Sequence, residues 1–239
     1  MLNIFKKNNC ELISNFKNIN FSKNIEFEKE FLYNIDSLNN EVLDIQKNKK
    51  TPLFKIFYSI HKNYDKLLFK STNISSDLFV LYPKFLGREY AKTPSISLSN
   101  KGFNFNEILF EVLNGEGYFI LENLDDIQEI KVIKVKKGSK ILIPKNFVFE
   151  MINTSKDENL IAINLKQKNL EYKFNTLNKN YGFTIYLTKT GFIRNQNLSP
   201  MYHIEDYIGD YLEDYSFEKE DTIYKQFTKL SEKFNFLKS

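Results

Sequence analysis

Tryptophan is absent from the 239 residues, cysteine occurs once and histidine twice. A single Cys10 excludes an internal disulfide and any zinc site built on cysteines, and it fits a reducing, cytoplasmic setting. With His61 and His203 as the whole imidazole complement, a multi-histidine metal centre has no donors to draw on. No apolar run is long enough to span a bilayer, and Met1 to Cys10 carries no apolar core of signal-peptide length. A soluble chain with no membrane partner is therefore expected. An excess of one charge is missing too: 34 basic residues stand against 30 acidic ones, well mixed, for a net charge of +4. The basic clusters Lys47, Lys49, Lys50 and Lys134, Lys136, Lys137 are too short for a nucleic-acid stripe and read as solvated surface. Neither a Gly-rich phosphate loop, a nucleophile elbow nor a zinc-binding helix motif occurs.

What is present is apolar and aromatic. Hydrophobic residues make up 42% of the chain and aromatics 15%, enough for a substantial core. Periodicity divides the sequence into three regions, 1–51, 52–200 and 201–239. In the first, Phe27, Phe31, Ile35, Leu38, Val42 and Ile45 recur at three- and four-residue steps, which predicts an amphipathic helix from Ile25 to Gln46 packed on the rest of the chain. The second is a run of short strands rich in Ile, Val, Phe and Tyr. They fall at Leu53 to Ile60, Asp77 to Tyr82, Ile108 to Leu113, Tyr118 to Leu121, Ile130 to Val135, Ile141 to Ile143, Phe147 to Ile152, Leu160 to Leu165 and Phe183 to Leu187. Turns at Asn114 to Gly117, Lys137 to Ser139 and Lys189 to Gly191 punctuate them, so a mainly β, jelly-roll barrel is expected. The third reads as helical, with one apolar face on Ile204, Tyr207, Ile208, Tyr211, Leu212 and Tyr215 and another on Ile223, Phe227, Leu230, Phe234 and Leu237.

The segment from Gly138 to Asn153 carries a family pattern. Gly138, Pro144 and Asn153 fall at the Gly, Pro and Asn slots of the second cupin motif, and Phe149 stands in its metal-binding His slot. Setting Gly115 at the Gly of the first motif puts Ile108 in the Glu slot. Within that superfamily the chain resembles the archaeal-type glucose-6-phosphate isomerases over roughly Pro52 to Pro200. The likeness runs through Asp77 to Pro83, Gly87 to Tyr90, Thr93, Glu111 to Gly117, Gly138 to Asn153, and Gly182 with Phe183. The resemblance implies a single cupin barrel, a homodimer, and a family chemistry that interconverts glucose 6-phosphate and fructose 6-phosphate beside a metal.

Carried over slot by slot, that site is altered. The paired-His region falls between Ser95 and Lys101, Phe110 takes a tyrosine slot, Leu170 takes a His slot, and Tyr172 and Thr93 match the family. Strand alternation puts Ile108, Phe110 and Val112 on one face and Glu107, Leu109 and Glu111 on the other. In the family register the first set points inward to meet Phe149 and Met151, an apolar cluster that favours neither a metal nor another cofactor. Glu107, Glu111 and Glu150 then read as surface, His61 as a surface strand end, and His203 with Glu205 and Asp206 as the start of a capped tail helix. The polar candidates for a ligand are Arg88, Thr93, Ser95, Ser97, Ser99 and Lys101 near a barrel mouth, with Tyr172. The expected function is a diverged, metal-free, non-catalytic cupin that binds a sugar phosphate or another small ligand, or serves as an interaction module. The competing expectation is an aldose-ketose isomerase with a rebuilt site. A carboxylate or Tyr172 facing an open cavity favours the enzyme, and a filled barrel favours the module.

Overall fold

Alternating apolar side chains build two curved sheets that close on each other in the computed structural model, which describes residues 13–15, 18–44, 48–99, 107–125, 129–177, 179, 181–198, 203–208, 217 and 220–238. The strands used below are β1 (Lys29–Asn34), β2 (Pro52–Tyr58), β3 (Ile74–Leu81), β4 (Glu89–Lys92), β5 (Ile96–Ser99), β6 (Ile108–Asn114), β7 (Glu116–Asn123) and β8 (Glu129–Lys136). They continue with β9 (Lys140–Ile143), β10 (Phe147–Asn153), β11 (Leu160–Gln167), β12 (Glu171–Phe174), β13 (Ile185–Thr188), β14 (Gly191–Arg194) and β15 (His203–Ile208). Two short helices are α1 (Lys66–Thr72) and α2 (Ile223–Lys229). One sheet runs β9-β6-β11-β3-β2-β1 and the other β14-β13-β4-β10-β7-β8-β15, with β5 joining β10 to β12. The jelly-roll reading is borne out, and all nine expected strands are present.

The core between the sheets is the inward face of both. Phe54, Phe79, Phe110, Phe119, Phe149 and Met151 belong to it and are fully buried. Each such side chain contributes roughly 1.5–3 kcal/mol by leaving water. The outward face of the first sheet is covered by α1 and the chain end: Phe69, Ile223, Tyr224, Phe227, Phe234 and Leu237 pack on Leu78, Val80, Leu109 and Ile163. The turn that carries the chain from β9 in one sheet to β10 in the other contains Asn146, whose φ of 65° lies in the left-handed region that Gly and Asn tolerate best. At Gly117 a Cβ would sit 1.9 Å from the Ile152 carbonyl oxygen, so this backbone approach requires glycine.

Two helical expectations are corrected. Of the segment expected as a helix, residues 25–44 do not form one; they give strand Ile25–Glu26, then β1, then a single 3-10 turn at Ile35–Leu38, and Ile45 and Gln46 lie outside the described residues. The backbone of β2 offers β1 a full antiparallel ladder from Lys29↔Tyr58 to Tyr33↔Phe54, and this pairing overrides the helical spacing. Of the expected stripe, Ile35, Leu38 and Val42 still reach the inner core, whereas Phe27 and Phe31 remain exposed. In the tail, His203 to Ile208 is likewise not the start of a helix. It forms β15, which pairs in parallel with β8 from Glu129↔His203 to Lys134↔Ile208. The stretch 211–216 lies outside the described residues. The second tail segment does form the helix α2 and a 3-10 turn at Ser231–Lys238.

Candidate functional site

Two neighbouring strands carry a gradient on their inward faces. The cross-strand pairs Leu160↔Leu81, Ala162↔Phe79, Asn164↔Asp77 and Lys166↔Ser75 pass from apolar to ionic along β11 and β3. Strand β2 does the same, with Phe54 and Ile56 in the core and then Tyr58, while β12 supplies Tyr172. One end of the barrel interior is therefore greasy and the other polar.

At the greasy end the five inward residues expected from alternation meet. Ile108, Phe110, Val112, Phe149 and Met151 share one core, with Phe110 and Phe149 ring centres 5.4 Å apart in an edge-on pair. Phe119 lies 5.3 Å from Phe110, and Phe79 lies 5.6 Å from it. Packed rings occupy the barrel centre around Ile108 and Phe149.

At the polar end lies a cavity of about 470 Å³. Its floor is an ordered network. Tyr172 donates its hydroxyl hydrogen to Asp77 Oδ2 at 2.6 Å and accepts from Asn164 Nδ2 at 2.8 Å. Asp77 Oδ1 accepts from the Ser59 amide at 2.8 Å. Lys166 Nζ stands 3.5 Å from Asp77 Oδ2, donates to Ser75 Oγ and the Leu170 carbonyl, and covers the Tyr172 ring at 5.2 Å. Burial and the adjacent Asp77 carboxylate hold the Tyr172 hydroxyl well above its ordinary range, so it stays a protonated donor. The walls are aromatic and basic: Phe31, Tyr33, Tyr58, Tyr172 and Phe174 line it with Lys29 and Lys168 at the rim, together with Glu28 and Glu171. The Tyr33 and Tyr58 hydroxyls bond each other at 3.0 Å, and Lys29 Nζ sits 5.0 Å above the Tyr58 ring.

Of the expected ligand residues, Tyr172 lines this cavity. Thr93 is fully buried, and its hydroxyl and amide bond the Met151 backbone. Ser95 bonds the Glu41 carboxylate and accepts from the Leu177 amide, and Ser97 bonds Thr176. Ser99 is buried on β5. Arg88 forms a two-pronged pair with Asp44, closest at 2.8 Å, on an exposed turn. Lys101 lies outside the described residues. The surface readings of Glu111, Glu150 and His61 are corrected. Glu111 is buried under the chain end, where it accepts from the Ile223 amide at 2.6 Å. Glu150 is 1% exposed and faces Lys92. His61 is 9% exposed and stacks on Phe69. The alternation that buried Phe149 does put Glu150 on the outward face, but a second layer covers that face. Asp77, Asn164, Lys166 and Tyr58 were missed, although each ends an inward apolar series at a two-residue step.

A two-sheet jelly roll in which the Gly138 to Asn153 segment crosses from one sheet to the other is a cupin barrel. A family model described as glucose-6-phosphate isomerase matches residues 35–203, and the chain belongs to that family. No curated protein matches the sequence. Among solved structures, procruciferin from Brassica napus is 20% identical with a TM-score of 0.39 over 55% of this chain and 28% of that one. Vicilin from Corylus avellana is 14% identical with a TM-score of 0.37 over 51% and 31%. An oxalate oxidase holding glycolate is 18% identical with a TM-score of 0.35 over 43% and 46%. The chain thus spans less than half the length of each of these chains. No helix among the described residues is long and apolar enough to cross a membrane.

Proposed function

We infer that this chain is a metal-free, non-catalytic member of its family that binds a small sugar phosphate at the polar end of the barrel. The observation that carries the reading is the division of the interior. Ile108, Phe110, Val112, Phe149 and Met151 present no oxygen or nitrogen to a divalent ion, and burying one among them would cost several kcal/mol or more. This set of side chains does not fit the family's metal. The cavity beside it offers aromatic faces for the apolar side of a sugar ring, tyrosine hydroxyls for its oxygens, and Lys29 and Lys168 for a phosphate.

The rebuilt-isomerase reading has one observation in its favour: Tyr172 and Asp77 both line the cavity. Proton abstraction needs a base with a lone pair facing substrate. Asp77 spends Oδ1 on Ser59 and Oδ2 on Tyr172 and Lys166, so it serves as the anchor of the floor. Calorimetric titration with glucose 6-phosphate and fructose 6-phosphate tests the binding reading. Exchange of the substrate C2 hydrogen with deuterated solvent tests the isomerase reading, and exchange at an enzymatic rate would replace ours. The same proposal takes the chain as a cytoplasmic homodimer. Its single cysteine supports the location, and the exposed Phe31 and Leu32 on edge strand β1 support pairing. Light scattering during size exclusion reads the mass directly.

A further inference from the structure

On the outward side of the second sheet lies a buried ionic cluster that the cavity does not use. Lys92 from β4 is 1% exposed and stands 2.9 Å from Glu89 Oε1 and 3.5 Å from Glu150 Oε2 of β10. Its ammonium also lies 4.7 Å from the Tyr186 ring of β13. Glu122 of β7 is buried nearby and accepts from the Thr184 amide. Glu41 is fully buried beside them, accepting from the Ser95 amide and hydroxyl at 2.6 Å each. Neither oxygen of Glu150 receives a hydrogen bond. Four carboxylates thus share one lysine in a place shut off from water, and they cannot all be ionised without a large excess of buried negative charge.

Glu41 differs from the other members because it lies on no strand. It belongs to the strap 39–44, which leaves the 3-10 turn after Leu38 and crosses the barrel wall. Three carboxylate contacts tie this strap down: Glu41 to Ser95, the Leu43 amide to Glu89, and Asp44 to the Arg88 amide and guanidinium. The rest of the cluster is fixed in the sheet by backbone ladders. Relief of crowded charge therefore acts first on the strap, whose release admits water to the cluster at the cost of few hydrogen bonds.

We propose that Glu41, Glu122 and Glu150, gathered with Glu89 around Lys92, form a proton-operated latch, which holds the strap 39–44 against the barrel while those three acids keep protons and frees it when all three are ionised. The direction of titration agrees. Burial, reinforced by the neighbouring acids and only partly offset by Lys92, pushes Glu150 up to about 8, and burial pushes Glu122 up to about 7. Burial also raises Glu41. Burial pulls Lys92 down, but Glu150 and Glu89 more than offset it, so Lys92 stays charged across this range. The strap follows directly from β1 and the 3-10 turn, so its release also loosens the wall that carries Lys29 and Tyr33. The latch itself does not depend on any ligand.

Hydrogen exchange read by mass spectrometry, corrected for the intrinsic rate, tests this on the intact chain at about pH 6 and about pH 9. The expected result is exchange in residues 39–44 at least about tenfold faster at the higher pH, a clearly larger factor than the rise in β11, which follows global stability alone. Glu150→Gln, which cannot lose a proton, should abolish most of that difference, and Glu122→Gln serves if the first variant does not fold. Glu232→Gln, at an exposed position, should leave it intact. Equal protection of the strap at both pH values would overturn the latch. So would a loss spread evenly over the whole chain, or a full pH response in both cluster variants.

Discussion

Phe149 occupies the position on which the residue-scale account turns. It is buried at the barrel centre, and its ring packs against those of Phe110 and Phe119. Phe149→Ala should therefore behave as a core cavity mutant and cost about 3–5 kcal/mol in denaturant unfolding. At the rim the expectation reverses. Lys29→Met and Lys168→Met lie on exposed or half-exposed ground and should leave unfolding within about 0.5 kcal/mol of the parent. Each should nonetheless weaken sugar-phosphate binding about tenfold, as loss of a charge-assisted contact implies. Alternation made the inward apolar set legible in the sequence, because Ile108, Phe110 and Val112 share a face in any strand that contains them. The polar floor was harder to see. Asp77 and Lys166 meet only through the pairing of two segments about 90 residues apart, and strand periodicity does not specify pairing.

Elements were legible where one periodicity dominated and misread where two fitted. The strands from β6 to β11 carry β-branched and aromatic residues at two-residue steps between glycine turns, and all of them form. Phe31, Ile35 and Leu38 satisfy a helical step as well as an edge strand followed by a tight turn, and the open edge of β2 selects the second. The same applies to Ile204, Tyr207 and Ile208, where the free edge of β8 takes the segment as β15. Helix α2 persists because no sheet edge competes for it and its start is capped twice. Thr222 Oγ1 accepts from the Lys225 amide at 3.2 Å, and Glu111 reaches across from β6 to the Ile223 amide. Thr222→Ala should cost about 1 kcal/mol, measured as a shift in the urea midpoint at constant slope.

For the whole molecule, the buried acids set the pH response of stability. A carboxyl whose folded pKa is raised binds its proton more tightly in the folded state, so its contribution is complete below the unfolded pKa and is lost as pH rises through the folded one. With Glu122 at about 7 and Glu150 at about 8, stability should fall progressively from about pH 4.5 to about pH 8 and then level off. Thermal melts across that range should show Tm declining by several degrees, since about 1 kcal/mol moves Tm by about 2–4 °C in a chain of this size. Glu150→Gln should flatten the decline. A Tm that rises between pH 5 and pH 8 would mean that other groups dominate.

The central claim is that this family member keeps a ligand site at one end of its barrel while the other end is packed shut. Calorimetric titration of glucose 6-phosphate into the purified protein, run beside a turnover assay with and without added divalent metal, tests it most directly. The account expects saturable binding that Lys29→Met and Lys168→Met weaken, and no isomerisation under any metal condition. Turnover that a chelator abolishes, or the absence of any heat of binding, would contradict it.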